Sequence, residues 1–123
     1  MVIHCGKASE ILDKLDKHYD LVNAIGVMFH IVEDVEWVNT IKVIGKSLRK
    51  GGLFVVGGHF GILDNVNVQI DHNSQINKRL RSRRHWRDTL KKAGFSRVDV
   101  YTNNAYLWID DILPENNVLI ATK

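Results

Sequence analysis

Tyr19-Asp20-Leu21-Val22-Asn23-Ala24-Ile25-Gly26-Val27 is nearly continuously apolar after its aspartate. A run of this kind predicts a central parallel strand covered on both faces, because a strand with one wet face would alternate. Downstream, Val38, Ile41, Gly45 and Leu48 recur at three- and four-residue intervals, behind Asp34 and ahead of Lys50 and Gly51. The spacing, acidic start and basic end predict a helix from Asp34 to Leu48 that complements its own dipole. Leu53-Phe54-Val55-Val56, entered through Gly51-Gly52, reads as a second buried strand. Strand, helix and strand in succession form a crossover unit with two parallel neighbours, so the fold class is α/β.

Toward the N-terminus, Val2 to Cys5 reads as a short strand, and Ser9 to Leu15 as a short helix carrying Ile11, Leu12 and Leu15, with Ser9 as a possible cap. Toward the C-terminus, Gly61 to Ser74 mixes Asn, Asp and Gly with isolated apolar residues, and no regular element is assigned there. Ser82 is placed to cap a helix with Trp86, Leu90 and Ala93 on one face, ended by Gly94 before Phe95 returns to the core. Val98 to Tyr101, and Asn117 to Thr122 after the single proline Pro114, read as a final antiparallel pair.

A chain of 123 residues with 45% hydrophobic and 25% charged residues supports one domain with one core, not a disordered tail. Its net charge of +3 is too small to imply nucleic acid. One cysteine excludes an intrachain disulfide and fits a reducing compartment, so a cytoplasmic location is expected. No apolar run reaches the roughly 20 residues that a membrane helix needs, and residues 1–12 lack a signal-peptide pattern.

Chemistry-bearing residues are few. No G-x-G-x-x-G or Walker loop occurs, and Gly51-Gly52 and Gly57-Gly58 read as turns instead of phosphate cradles. His30 and His59 each follow a predicted parallel strand, at the carboxyl ends where open α/β sheets bind ligands. A neutral imidazole there can take a proton from an attacking hydroxyl or amine, and the blander alternative is that each packs against nearby backbone. Asp64, Asp71 and His72 have metal-ligand side chains, but their spacing matches no ligand pattern, and a solvated loop is expected. His4 and Cys5 would point to opposite faces of a strand, so no metal site is expected, and Cys5 reads as a buried thiol. The basic run Lys78 to Arg87 surrounds Trp86 and can be read as an RNA contact or, since Trp86 shares a face with Leu90, as a solvated face.

Taken together, Tyr19-Asp20-Leu21-Val22, Met28-Phe29-His30-Ile31, Leu48-Arg49-Lys50-Gly51-Gly52-Leu53-Phe54-Val55-Val56 and Leu90-Lys91-Lys92-Ala93-Gly94-Phe95 resemble the later half of class I S-adenosylmethionine-dependent methyltransferases. Val118 to Lys123 then resembles the family's last strand. The resemblance implies a partial Rossmann-like sheet, S-adenosylmethionine as cofactor and methyl transfer to a nucleophile, with a small-molecule acceptor expected. It matches Ala24, Ile25 and Gly26 to the strand end lining the cofactor's methionine side, and His30 to a position near the acceptor. Lys7 and Ala8 match the adenine side, but Lys7 stands where the family commonly has an acidic residue, and an ammonium cannot accept a hydrogen bond.

The family's Gly-rich loop and ribose-binding acid have no counterpart, so the chain reads as beginning at the family's third strand. The strands that separate the third from the fourth in that family are then missing, and Tyr19–Val27 becomes an edge. Either the third strand closes onto it, or a second copy or another chain carrying the N-terminal half supplies the neighbours. Three readings follow: a truncated methyltransferase, a non-catalytic methyltransferase-like binding or regulatory subunit, and a small RNA-binding module around Arg79 to Arg87.

Overall fold

The computed structural model describes residues 1–68, 77–102 and 116–123, with backbone alone at His59, Thr102, Asn116 and Asn117. Helix α1 (Ala8–Leu15) precedes strand β1 (Tyr19–Ile25), a single 3-10 turn (Met28–His30), helix α2 (Asp34–Ser47) and strand β2 (Leu48–His59). A ribbon of β3 (Val66–Val68) and β4 (Lys78–Leu80) leads to helix α3 (Arg83–Lys92), β5 (Arg97–Thr102) and β6 (Asn116–Thr122). The main sheet has the order β1-β2-β6-β5; β1 and β2 are parallel, and β6 runs antiparallel to both of its neighbours. Both the α/β class and the antiparallel C-terminal pair agree with the sequence reading.

One face of this sheet carries the core. Phe54, Val56, Leu119 and Ala121 alternate inward and meet Trp37, Ile41 and Ile44 of α2, Trp86 and Leu90 of α3, and Phe95. The buried stripe of α2 begins at Trp37, one position before Val38, which is only half-buried. Ser82 caps α3 by accepting from the His85 N–H at 3.1 Å, and Gly94 leaves the helix at φ 98°. Gly52 is forced by space, since a Cβ there would stand 2.8 Å from the Arg49 carbonyl oxygen, and beside it Gly51 takes φ 80°. The bulge they make lets β2 skip from Leu48, opposite Tyr19, to Leu53, opposite Leu21.

Four expectations are corrected. Val2 to Cys5 is no strand: these residues are exposed and pair with nothing described, and a strand without a neighbour has no ladder to hold it. Cys5 is accordingly exposed, not buried. Gly57-Gly58 is not a turn but lies inside β2, opposite Val118 and Asn117. The stretch after Gly61 contains a strand, Val66–Val68, although Asp71 and His72 lie outside the described residues.

Among the described residues strand β1 is an edge of the sheet and is not covered on both faces as its apolar run implied. Leu21, Ile25, Leu53 and Tyr101 point away from the core and remain 56%, 55%, 37% and 56% exposed. Closure of that edge by Val2 to Cys5 is not seen. Among the described residues no helix is long and apolar enough to cross a membrane.

Candidate functional site

Because β1 and β2 are parallel, both reach the same end of the sheet, with Ile25 opposite Gly57. Gly26 closes that end by donating its N–H to the Gly57 carbonyl at 2.9 Å, at φ 75°. Its own chain neighbours aside, no atom of the described residues stands within 4 Å of where a Gly26 Cβ would be. Ala24 is buried, whereas Ile25 and Gly26 are exposed. His30 follows in the 3-10 turn, and the backbone of His59 ends β2, so both histidines belong to this end of the sheet. Lys7 and Ala8 begin α1 on the same side: Ser9 donates to Glu36 in the first turn of α2, and α2 starts near the end of β1.

His30 is exposed but fixed. Its Nδ1 lies 3.1 Å from the Asn77 carbonyl oxygen, and its ring is tilted against Phe29 at 4.4 Å. A carbonyl oxygen can only accept, so in the neutral ring Nδ1 carries the hydrogen and Nε2 is left as an acceptor. Phe29 in turn packs on Gly58, where a Cβ would stand 2.7 Å from the phenyl ring, and the Lys78 ammonium sits 5.2 Å from the ring centre.

The ribbon that supplies Asn77 is anchored by an ion cluster. Asp34, at the start of α2, accepts from Arg79 through Nε at 3.0 Å and Nη2 at 2.7 Å, and from Arg81 Nη2 at 2.8 Å. Arg81 is 1% exposed; it also donates to the Ile31 carbonyl at 3.1 Å and lies 4.3 Å over the Trp37 ring. Burial raises the Asp34 carboxyl, but the hydrogen bonds and charges of Arg81 and Arg79 outweigh it and hold the group below its ordinary value. Burial pulls the Arg81 guanidinium down, and Asp34 opposes that pull.

These arginines correct the solvated-face reading of Lys78 to Arg87, since Arg79 and Arg81 are inward and paired. Asp34 and its two partners are 45 and 47 residues apart in the chain, and no local spacing signals such a cluster. Trp86 is core, as its helical face implied. Asp64 is tied to the backbone N–H and hydroxyl of Ser82, whose hydrogen bond is the main reason its carboxyl lies below the ordinary value. Among the described residues no three His, Cys, Asp or Glu side chains gather as a metal site would require.

No family model matches the sequence, and no curated protein matches it. Solved structures do match the fold. A S-adenosylmethionine-dependent methyltransferase from Clostridium acetobutylicum superposes with a TM-score of 0.68 at 11% identity, over 97% of this chain and 63% of that one. The 1,6-didemethyltoxoflavin-N1-methyltransferase of Burkholderia thailandensis, solved with 1,6-didemethyltoxoflavin and S-adenosylhomocysteine, gives 0.69 at 18% identity over 91% and 48%. A methyltransferase from Methanosarcina mazei gives 0.64 at 14% identity over 96% and 65%. The chain thus spans less than two thirds of each of these structures. Over the length it shares with them, it has the partial Rossmann-like fold of the S-adenosylmethionine-dependent methyltransferases.

Proposed function

We propose that the chain is the later part of an S-adenosylmethionine-dependent methyltransferase acting on a small-molecule acceptor. The observation that carries this reading is the fold shared with methyltransferase structures over most of this chain, together with an open glycine end on β1 beside a fixed histidine. The methionine side of the cofactor fits Ala24, Ile25 and Gly26, where no other part of the described residues crowds the Gly26 α-carbon. The adenine side fits less well. Ala8 opens α1, whose first N–H groups have no partner inside the helix, but the Lys7 ammonium offers donors only.

When bound, the cofactor supplies an activated methyl group for in-line displacement, a reaction helped mainly by orientation and exclusion of water. His30 contributes the proton step: Nδ1 is held by Asn77, and Nε2 takes the acceptor's proton as its oxygen or nitrogen attacks. His59, whose backbone ends the neighbouring strand, is the second candidate for that role. The uncovered edge of β1 and the apolar face bearing Leu21, Ile25 and Leu53 are the proposed docking place for further strands, from a second copy or another polypeptide.

Lys7 favours a second reading, in which the chain is a non-catalytic subunit that keeps the fold as a binding surface. Isothermal titration with S-adenosylmethionine and S-adenosylhomocysteine separates the two. Saturable binding supports the enzyme; no heat of binding at millimolar ligand, alone or with a partner that covers β1, rejects it.

A further inference from the structure

His30 stands in a turn of three residues that does little to hold itself. Its N–H donates to the Val27 carbonyl at 3.0 Å and the Ile31 N–H to the Met28 carbonyl at 3.2 Å, after which the chain runs irregularly to the start of α2. A single turn with so few bonds does not fix an exposed imidazole, so the restraint comes from elsewhere in the fold. It comes from β4 and the residues on either side of it. The Asn77 carbonyl takes the Nδ1 hydrogen at 3.1 Å, the Lys78 ammonium and Gly58 both lie against the Phe29 ring, and Arg81 reaches the backbone just past the histidine.

Arg81 is the centre of this arrangement. Its Nη1 donates to the Ile31 carbonyl at 3.1 Å and its Nη2 to the Val32 carbonyl at 3.4 Å, while Nε and Nη2 also donate to one Asp34 oxygen at 3.2 and 2.8 Å. One planar group thus ties down acceptors on Ile31, Val32 and Asp34, directly after His30. The Arg81 carbonyl in turn accepts from the Gly61 N–H at 3.0 Å, which joins the same residue to the chain leaving β2. The side chain is almost fully buried and lies over the Trp37 ring, so packing as well as hydrogen bonding sets its plane. A buried ion pair is weak evidence for stability alone, because apolar residues of similar volume often do as well. What an apolar residue cannot do is donate to the Ile31 and Val32 carbonyls.

We propose that Arg81 is a positioning residue for His30: its guanidinium fixes the backbone beyond the histidine, and its own segment brings the Asn77 carbonyl to Nδ1, so that Nε2 is kept as the acceptor. Lysine cannot replace it, since one ammonium does not reach two carbonyls and a carboxylate in a single plane. A role in methyl transfer rests on the reading above, whereas the placement of the ring does not.

Nitrogen–proton NMR of the full chain, at a pH where the His30 ring is neutral, tests the assignment. In wild type, Arg81 should show separate Nη1 and Nη2 signals from restricted rotation, and His30 the Nδ1–H tautomer. R81K, and R81Q as a second variant without the charge, should lower the ratio of Nδ1–H to Nε2–H about tenfold, the scale of one lost hydrogen bond. I44V, a core change in the last turns of α2, should reduce stability without moving that ratio. A freely rotating Arg81 guanidinium in wild type overturns the proposal, and that measurement needs no variant to fold. An unchanged tautomer ratio in R81K and R81Q, or an equal shift in I44V, overturns it as well. S-adenosylhomocysteine titrated into wild type keeps the two readings apart: no binding removes the methyltransferase and leaves the placement of His30 to stand on the tautomer ratio.

Discussion

The Nδ1 atom of His30 lies 3.1 Å from the carbonyl oxygen of Asn77, a backbone contact that spans 47 residues of sequence and fixes which ring nitrogen is free. The neutral ring is therefore expected as the Nδ1–H tautomer, read from long-range nitrogen–proton NMR correlations of the imidazole. H30A should lower methyl transfer by about a hundredfold or more while leaving S-adenosylhomocysteine affinity unchanged. A dominant Nε2–H tautomer, or full turnover in H30A, would remove this histidine from the chemistry.

Asp34 holds two arginines, one of them almost fully buried. D34N leaves Arg81 without its carboxylate and is expected to cost about 1–3 kcal/mol, measured by denaturant unfolding at neutral pH. The pH dependence has a definite sign. Since the folded carboxyl sits below 3.8, its contribution is fully present above that value and is lost as pH falls through the lower, folded value. D34N should be less stable at pH 7 and should lose less further stability on acidification than wild type does.

Much of this fold is legible in the sequence because its signals are local. The cap at Ser82 and the stop at Gly94 each act within a few residues, and the apolar runs of β2 and β6 state their own burial, whereas Gly51-Gly52, read as a turn, is a bulge inside β2. The Asp34–Arg79–Arg81 cluster is not legible in this way, since a buried arginine and a solvated one look alike until the partner 47 residues away is placed. Val2 to Cys5 misleads for a related reason: β-branched residues favour a strand only where another strand offers a ladder. At the site, the sheet end holding Ala24, Ile25, Gly26 and His30 could be read from strand order, whereas Asn77 as the imidazole's partner could not.

Gly58 and Gly26 should respond differently to the same substitution. At Gly58 a new Cβ meets the Phe29 ring at 2.7 Å on a backbone of φ 118°, so G58A is expected to cost about 1–3 kcal/mol on top of its backbone strain and to displace the His30 turn. G26A meets no atom of the other described residues and should cost only the backbone strain of φ 75°, about 1–2 kcal/mol. Thermal melts of the two variants give the comparison; equal loss in both would contradict the Phe29 contact.

The free edge of β1 is expected to make the chain associate with itself. Light scattering across a concentration series should show mass rising above that of one chain, and L21K/I25K should reduce it by placing charges on the exposed face. A monomer at all concentrations, indistinguishable from L21K/I25K, would show that this face needs no cover from a second copy.

The most direct measurement is an amide proton–nitrogen NMR titration of the 123-residue chain with S-adenosylmethionine, sensitive to binding as weak as millimolar. The expected result is saturable shifts concentrated at Ala24, Ile25, Gly26 and His30. Unmoved signals at those four residues with ligand at millimolar concentration, or shifts confined to the far end of the sheet, would contradict a cofactor seat at the end of β1.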